Sequence, residues 1–368
     1  MQVVRISTAA QLNKFIGMPD ALYRGDPFYV PYMRGDLKKT LGQLLFVEKT
    51  YTALAVEERG KYIARVLFTV GRSKQLGLDR CGFFSHFECV NDSDCARLLL
   101  SEMCRMLRVQ GVTYVEGTYF PYDQDNRRGI QVEGFEDEPM ILTSYNPPYY
   151  SALLEGFGFH KDFDTVSYKL AYDRYDPEHI SAFAERLLER RKLYIAPADF
   201  SRLDREIDDV CAIINEATND SIFQDAPTRE DLRRIVSGWK RFLWPDFIHI
   251  CRRQEDDRPV GFVMSVPNYY TVFRKMKGRT NPVALMRALY WKGKIKSVRT
   301  ILQYVVPDYQ KRGVNFALYH AFYLACRKYG IESMEAGTIM ENNAASCRNV
   351  EGAGGIRNKV FRIYGREL

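Results

Sequence analysis

Helix-spaced apolar positions over Ala9 to Met18 and Asp36 to Leu45, separated by the proline-bearing stretch Pro27 to Pro31, open the chain, and the pattern then changes period. Tyr51 to Val56 and Tyr62 to Val70 carry strand-forming residues on either side of Glu57-Glu58-Arg59-Gly60, which predicts a hairpin with a glycine at its tip. Gly82 to Val90 reads as a further strand. Asp92 or Asp94 can cap a helix over Cys95 to Val109, where Leu98, Leu99, Met103, Met106 and Leu107 give a helix-spaced apolar face that ends at Gly111. Val112 to Gly117 reads as a strand, and a polar, glycine-containing loop follows it. A short helix then starts around Asn146 to Tyr150 and stops at Gly156, and Thr165 to Leu170 is a strand. A linker is expected near Ala171 to His179, with a helix after it.

The second half runs through the same kinds of element. A strand at Leu193 to Ala196 precedes helices at Leu203 to Glu216 and Arg229 to Trp239, and Phe247 to Arg252 with Pro259 to Val266 form a hairpin around Glu255-Asp256-Asp257. A strand at Ile301 to Val306, a helix at Val314 to Lys328, a strand at Ser333 to Ile339, a short helix at Ala344 to Glu351 and a strand at Lys359 to Tyr364 complete it. Leu153-Leu154-Glu155-Gly156-Phe157-Gly158-Phe159 corresponds in position to Asn349-Val350-Glu351-Gly352-Ala353-Gly354-Gly355, each followed by a strand. A duplicated mixed α/β fold explains this, with a division into residues 1–175 and 176–368. The length of 368 residues fits two domains that each bury a core.

Composition narrows the class. With 46% hydrophobic and 27% charged residues, the chain is an ordinary globular protein and not a collagenous, mucin-like or disordered one. No apolar stretch approaches the roughly 18 residues that cross a bilayer, and the N-terminus lacks the pattern of a secretory signal, so a cytoplasmic location is expected by default. The eight cysteines show no C-x-x-C pair, which suits reduced thiols. Cys81, His86, Cys89 and Cys95 invite a zinc reading, but strand alternation would put Cys81 and Cys89 on one face and His86 on the other, so no metal site is expected.

Charge is distributed unevenly. From Arg258 through Pro307 there is no acidic residue and there are ten basic ones, although the formal net charge is only +7. Such a block attracts anions, whether a phosphate-bearing ligand, nucleic acid or an anionic membrane surface, unless it is simply a solvated face. Within it, the insertion Asn268 to Ser297 contains Pro282 to Lys292, which starts like a helix, with apolar residues on more than one face. That helix can cover a pocket, meet an interface or rest on anionic lipid.

The stretch Ile301 to Leu318 orders a strand, a basic glycine turn and a helix. The first amides of a helix lack intrahelical acceptors and lie at the positive end of its dipole, so this arrangement can take phosphate oxygens, with Gly313 admitting close backbone approach and Gln310, Lys311 and Arg312 adding donors. Gly313 could equally serve a tight turn. The segment resembles the coenzyme A pyrophosphate loop of the GNAT acetyltransferase superfamily, with Gln310, Gly313 and Asn315 at its key positions and Asn315 replacing a small residue. Asn343 followed by Gly354 resembles the next motif of that superfamily, and Val350 stands where a tyrosine often acts as general acid.

The resemblance implies two tandem GNAT-like domains, each with a mixed, mostly antiparallel twisted sheet flanked by helices. It also implies acetyl-CoA or another acyl-CoA as cofactor, with Val305, Val306, Gln310, Lys311, Arg312, Gly313, Val314, Asn315 and Asn343 as its contacts. The acceptor would be a small-molecule or peptide amine. Glu335, on the fifth strand of the second half, is the candidate base and Tyr304 the candidate acid. His320 falls on the helix after the loop and is read as a packed residue. The first half has no such loop, since Asp92 and Asp94 would repel a diphosphate; it reads as a non-catalytic copy in which Tyr149 and Tyr150 pack. The alternatives are Fem-like transfer from aminoacyl-tRNA, with the basic block holding RNA, and a non-catalytic acyl-CoA-binding protein.

Overall fold

The computed structural model describes residues 1–119, 127–171, 177–218, 228–240 and 242–368, so most of the expected linker near Ala171 to His179 lies outside the described residues. The first half contains β1 (Gln2–Arg5), α1 (Ala9–Gly17), α2 (Pro19–Leu22), α3 (Arg34–Gly42), β2 (Tyr51–Glu58), β3 (Lys61–Ser73), β4 (Leu78–Cys89), α4 (Ser93–Val109), β5 (Tyr114–Gly117), β6 (Ile130–Glu133), α5 (Tyr150–Gly156) and β7 (His160–Ala171). There follow α6 (Pro177–Arg191), β8 (Leu193–Pro197), α7 (Leu203–Ala217), α8 (Arg229–Trp239), β9 (Ile248–Arg253), β10 (Pro259–Pro267), α9 (Tyr270–Met276) and α10 (Pro282–Lys292). The chain ends with β11 (Ser297–Val305), α11 (Val314–Lys328), β12 (Ser333–Met340), α12 (Ala344–Gly352) and β13 (Ile356–Glu367). Of these, β1, α2, β6 and α9 were not expected: the first three have four residues each, too short to establish a period, and α9 is a single pair of turns.

Two compact units form. The first takes Met1–Val166, Tyr270–Gly293 and Asn358–Leu368, and the second takes Ser167–Tyr269 and Lys294–Arg357. This division differs from a single cut at residue 175 because strand pairing joins residues far apart in the chain. In the first unit β13 pairs antiparallel with β5, from Tyr364 opposite Gly117 to Glu367 opposite Tyr114. It also pairs with β6, and Arg362 forms a two-pronged ion pair with Asp164 of β7 at 2.9 and 3.0 Å.

The sheet of the first unit runs β1-β2-β3-β4-β5-β13 and is antiparallel except for the β4–β5 pair. One face packs on α4, where Leu99, Met103 and Leu107 join Leu54, Val66 and Phe84 in a closed core. The other face takes Leu12, Phe15 and Leu41 against Ala53, Ala55 and Leu67. In the second unit the order is β12-β11-β10-β9-β8, parallel only at β11–β12, and Phe262, Val298, Leu318 and Phe322 lie at the centre of its core.

The alternation expected along β4 is broken. Four residues of β4, from Ser85 to Glu88, span three of β3, from Leu67 to Arg65, and the extra residue is accommodated with His86 at φ +49°. Phe84, Phe87 and Cys89 therefore share the face toward α4, whereas Cys81 lies on the other face, its thiol toward the Tyr114 carbonyl. Cys81 and Cys89 thus do not share a face, and all eight cysteines are free thiols. Tyr150 is fully buried and donates to Glu88 at 2.8 Å, while Tyr149 donates to the Cys89 carbonyl at 2.8 Å, so both pack with their hydroxyls satisfied.

Candidate functional site

Strands β11 and β12 run together from Ser297 opposite Ser333 to Thr300 opposite Ala336, and the pairing stops there. Beyond that level β11 stays bound to β10 as far as Val305 opposite Gly261, so the other edge of Ile301 to Val305 has parted from β12. On the parted stretch, the side-chain amide of Gln303 is directed at the Tyr319 hydroxyl.

The loop after β11 is built for its helix. Pro307–Tyr309 form a 3-10 turn, the backbone enters the left-handed region at Lys311 (φ +56°) and again at Gly313 (φ +84°), and α11 starts. A Cβ at Gly313 would come within 2.3 Å of Leu187 on α6, so glycine is required here by helix packing as well as by φ. Gln310 donates to the Val305 carbonyl at 3.0 Å, which closes the loop onto the strand end. The Val306 amide donates to Val260 at 3.0 Å, and the Val305 and Val306 side chains are buried. Val314 is buried and Asn315 half-buried. Lys311 and Arg312 are exposed, with no carboxylate partner among the described residues; the Arg312 guanidinium lies 5.8 Å from the Tyr309 ring centre.

The two units differ most at this helix start. No side chain caps α11 and no acid lies in its first turn. In the first unit Asp92 accepts from the amides of Asp94 and Cys95 at 2.8 and 3.0 Å, which satisfies the amides of α4 internally. Of these two helix starts, that of α11 keeps uncapped amides beside cations for an anion.

The expected catalytic pair is placed as follows. Glu335 is buried and lies opposite Arg299, itself buried and donating to the Gly337 carbonyl at 3.1 Å. Tyr304 is on the parted stretch of β11, half-buried, with its ring 6.0 Å from Phe262. Asn343 caps α12, accepting from the Ser346 amide at 3.1 Å, and Val350 is buried. His320 is buried in α11, and burial lowers its pKa.

Two residues escaped the sequence reading. Tyr168, on β7, is buried beside the helix that carries Val350 and donates to Glu351 at 2.9 Å; burial first, then Cys347 and Glu351, raise its pKa. Nothing in the sequence links a residue at 168 to α12. Glu116 is the other. It sits one pair before the end of the β4–β5 ladder, as Glu335 does on β11–β12, and the matching stretches Glu116-Gly117-Thr118 and Glu335-Ala336-Gly337-Thr338 were the available signal. Fully buried, with one carboxylate oxygen lacking a partner among the described residues, Glu116 has its pKa lifted by burial to about 7, while Tyr119 donates to its other oxygen at 2.9 Å.

No family model matches the chain. It is 24% identical to the bacterial ceramide synthase of Caulobacter vibrioides (strain NA1000 / CB15N) over 100% of this chain and 98% of that protein. It is 22% identical to protein YghO of Escherichia coli (strain K12), over 97% and 93%. Among solved structures, a tandem GNAT protein from the clavulanic acid biosynthesis pathway aligns with TM-score 0.57 at 12% identity over 100% of this chain and 98% of that one. A GCN5-related N-acetyltransferase from Sphaerobacter thermophilus aligns with TM-score 0.55 at 10% identity over 99% and 95%. The chain has the tandem GNAT fold, and no described helix is long and apolar enough to cross a membrane.

Proposed function

We propose that the chain transfers an acyl group from an acyl-CoA to the amine of a long-chain acceptor, using the second unit. The observation that carries this reading is the parting of β11 from β12 directly before an uncapped, cationic helix start. The full-length similarity to a protein named ceramide synthase supports a long acyl chain and a sphingoid-type amine, because a ceramide is the amide of those two.

The residues fit such a ligand on two counts: the backbone edge of β11 left open past Thr300, and the exposed cations beside helix amides that no side chain caps. When bound, the thioester supplies an activated acyl carbon. The amides of Val314 and Asn315, with Lys311 and Arg312, hold the diphosphate. The open edge of β11 orients the arm. Glu335 accepts the proton of the acceptor ammonium on its carboxylate, the freed amine forms the C–N bond as the C–S bond breaks, and Tyr304 donates from its hydroxyl to the departing sulfur and is reprotonated by the second proton that the nitrogen sheds. Tyr168 is the competing donor, since it lies near the position that Val350 leaves without a hydroxyl.

The test incubates the purified chain with palmitoyl-CoA or acetyl-CoA and sphinganine and reads amide by mass spectrometry. Amide from palmitoyl-CoA is expected, with the Lys311→Glu/Arg312→Glu variant raising the KM for acyl-CoA by about tenfold or more while the fold is retained. Tyr304→Phe and Tyr168→Phe identify the donor by which of them lowers kcat. No amide and no calorimetric binding with either acyl-CoA sinks the proposal.

A further inference from the structure

Helix α10 is turned inside out. Of its eleven residues only Ala284 is buried, with Ala288 and Trp291 half-buried. At about 100° per residue these three fall within roughly 60° of arc. The opposite pole carries Met286 and Leu289, exposed at 66% and 76%, flanked by Leu285, Tyr290 and Val283, also exposed. Arg287 and Lys292 stand at the two borders of this apolar face. A helix on a water-soluble surface presents its polar side to solvent; here the outward side is apolar and fringed with cations, the arrangement of a helix lying in a membrane interface.

The first unit holds this helix firmly. The Arg34 amide donates to the Gly278 carbonyl at 3.2 Å in the turn between α9 and α10. Arg274 donates to the Pro27 carbonyl at 2.9 Å and pairs with Glu138 at 3.1 Å, and Arg127 donates to Tyr270 at 3.1 Å. A cavity of about 670 Å³ is lined by Phe28, Lys275, Lys277, Arg287 and Trp291. Its two acids are engaged, Glu138 by Arg274 and Asp26 by the Tyr145 hydroxyl at 2.7 Å. Lys277 and Arg287 have no carboxylate partner among the described residues, nor do Arg279 and Lys292 nearby, and Lys275 lies 4.6 Å from the Trp291 ring centre.

We infer that α10 docks the protein on an anionic bilayer. Leu285, Met286, Leu289 and Tyr290 enter the headgroup boundary, the bordering cations meet lipid phosphates, and the cavity behind Arg287 receives one phosphate headgroup. Charge selects this occupant over a second copy of the chain, because the segment around this face carries cations and no acid, so a two-fold contact through it would bring two like-charged borders together. The inference rests on exposure and charge and goes beyond the acyl-transfer reading.

Co-sedimentation of the full chain, without acyl-CoA or amine, tests it against vesicles of phosphatidylcholine alone or with about one-third phosphatidylglycerol. The parent is expected to sediment with the anionic vesicles, less so at high salt. The Met286→Ser/Leu289→Ser variant should lower partitioning by about tenfold, and Arg287→Glu/Lys292→Glu should abolish the preference for anionic lipid. All of these sites are exposed, so the variants should keep the parent's circular dichroism and urea midpoint. Absence of vesicle binding by the parent overturns the inference, as does unchanged binding by both variants, or light scattering that shows a dimer dissolved by them. None of these readouts involves amide formation, so a failure here is separate from a failure of the acyl-transfer assay.

Discussion

Burial at Glu116 keeps its carboxyl protonated up to about pH 7, against an ordinary value of 4.5; Tyr119 opposes the shift, Asp162 adds to it and Arg128 again opposes it. A raised carboxyl pKa means that the folded state holds more protons than the unfolded one between those two values. The stability it contributes is fully present below pH 4.5 and lost as pH rises through 7, a change of about 3 kcal/mol. His249, in the second unit, has the opposite sign. Burial lowers its pKa from 6.5 to about 4 against a weaker pull from Asp246, so its contribution is present above pH 6.5 and lost as pH falls through 4. Between pH 4.5 and 6.5 the two slopes oppose each other. Urea midpoints across pH should show Glu116→Gln removing the loss toward pH 7 and exposing a steeper fall on the acid side. If the variant's profile matches the parent's, Glu116 is not protonated in the folded state.

At the scale of elements, the turn into α11 joins a backbone requirement to a packing one. Gly313→Ala should destabilise by about 1–3 kcal/mol, because the left-handed region costs about 1–2 kcal/mol for an L-residue and the new methyl group meets Leu187. Leu187→Ala in the same chain should return the packing part and leave the backbone part, a coupling that a double-mutant cycle in urea reads directly. Additive effects would mean that α6 moves aside at no cost. The helix starts make the same kind of distinction: α4 spends its amides on Asp92, while α11, entered through a glycine that offers no side-chain acceptor, does not.

For the whole molecule, the position of the last strand matters most. Val360, Phe361, Ile363 and Tyr364 are all buried, and β13 completes the sheet of the first unit. Ending the chain after Arg357 should therefore unfold the first unit, although every deleted residue is C-terminal. Limited proteolysis with mass spectrometry would read this as rapid cleavage within residues 1–166 and 270–293 while 177–269 and 294–357 resist. Equal protection of both regions would show that β13 is dispensable. Separate expression of 1–175 should give an unfolded fragment for the same reason, since it leaves the outer edges of β5 and β6 without their partner.

Much of this was legible in the linear pattern. Local signals act over a few residues, so the capped start of α4, the hairpin around Gly60, the limits Val314 to Lys328 and the strand-turn-helix order at Gly313 could all be read directly. The tandem organisation followed from repeated element order. What needed the tertiary structure depends on partners distant in the chain: the bulge at His86 that separates Cys81 from Cys89, the packing of α6 on Gly313, the place of Tyr168 beside α12, the burial of Glu335 opposite Arg299, and the assignment of β13 to the first unit. A sequence fixes spacing along the chain, and spacing decides period, caps and turns. Burial, register and which edge a strand occupies are settled only when distant segments compete for the same apolar surface and the same hydrogen-bonding edge.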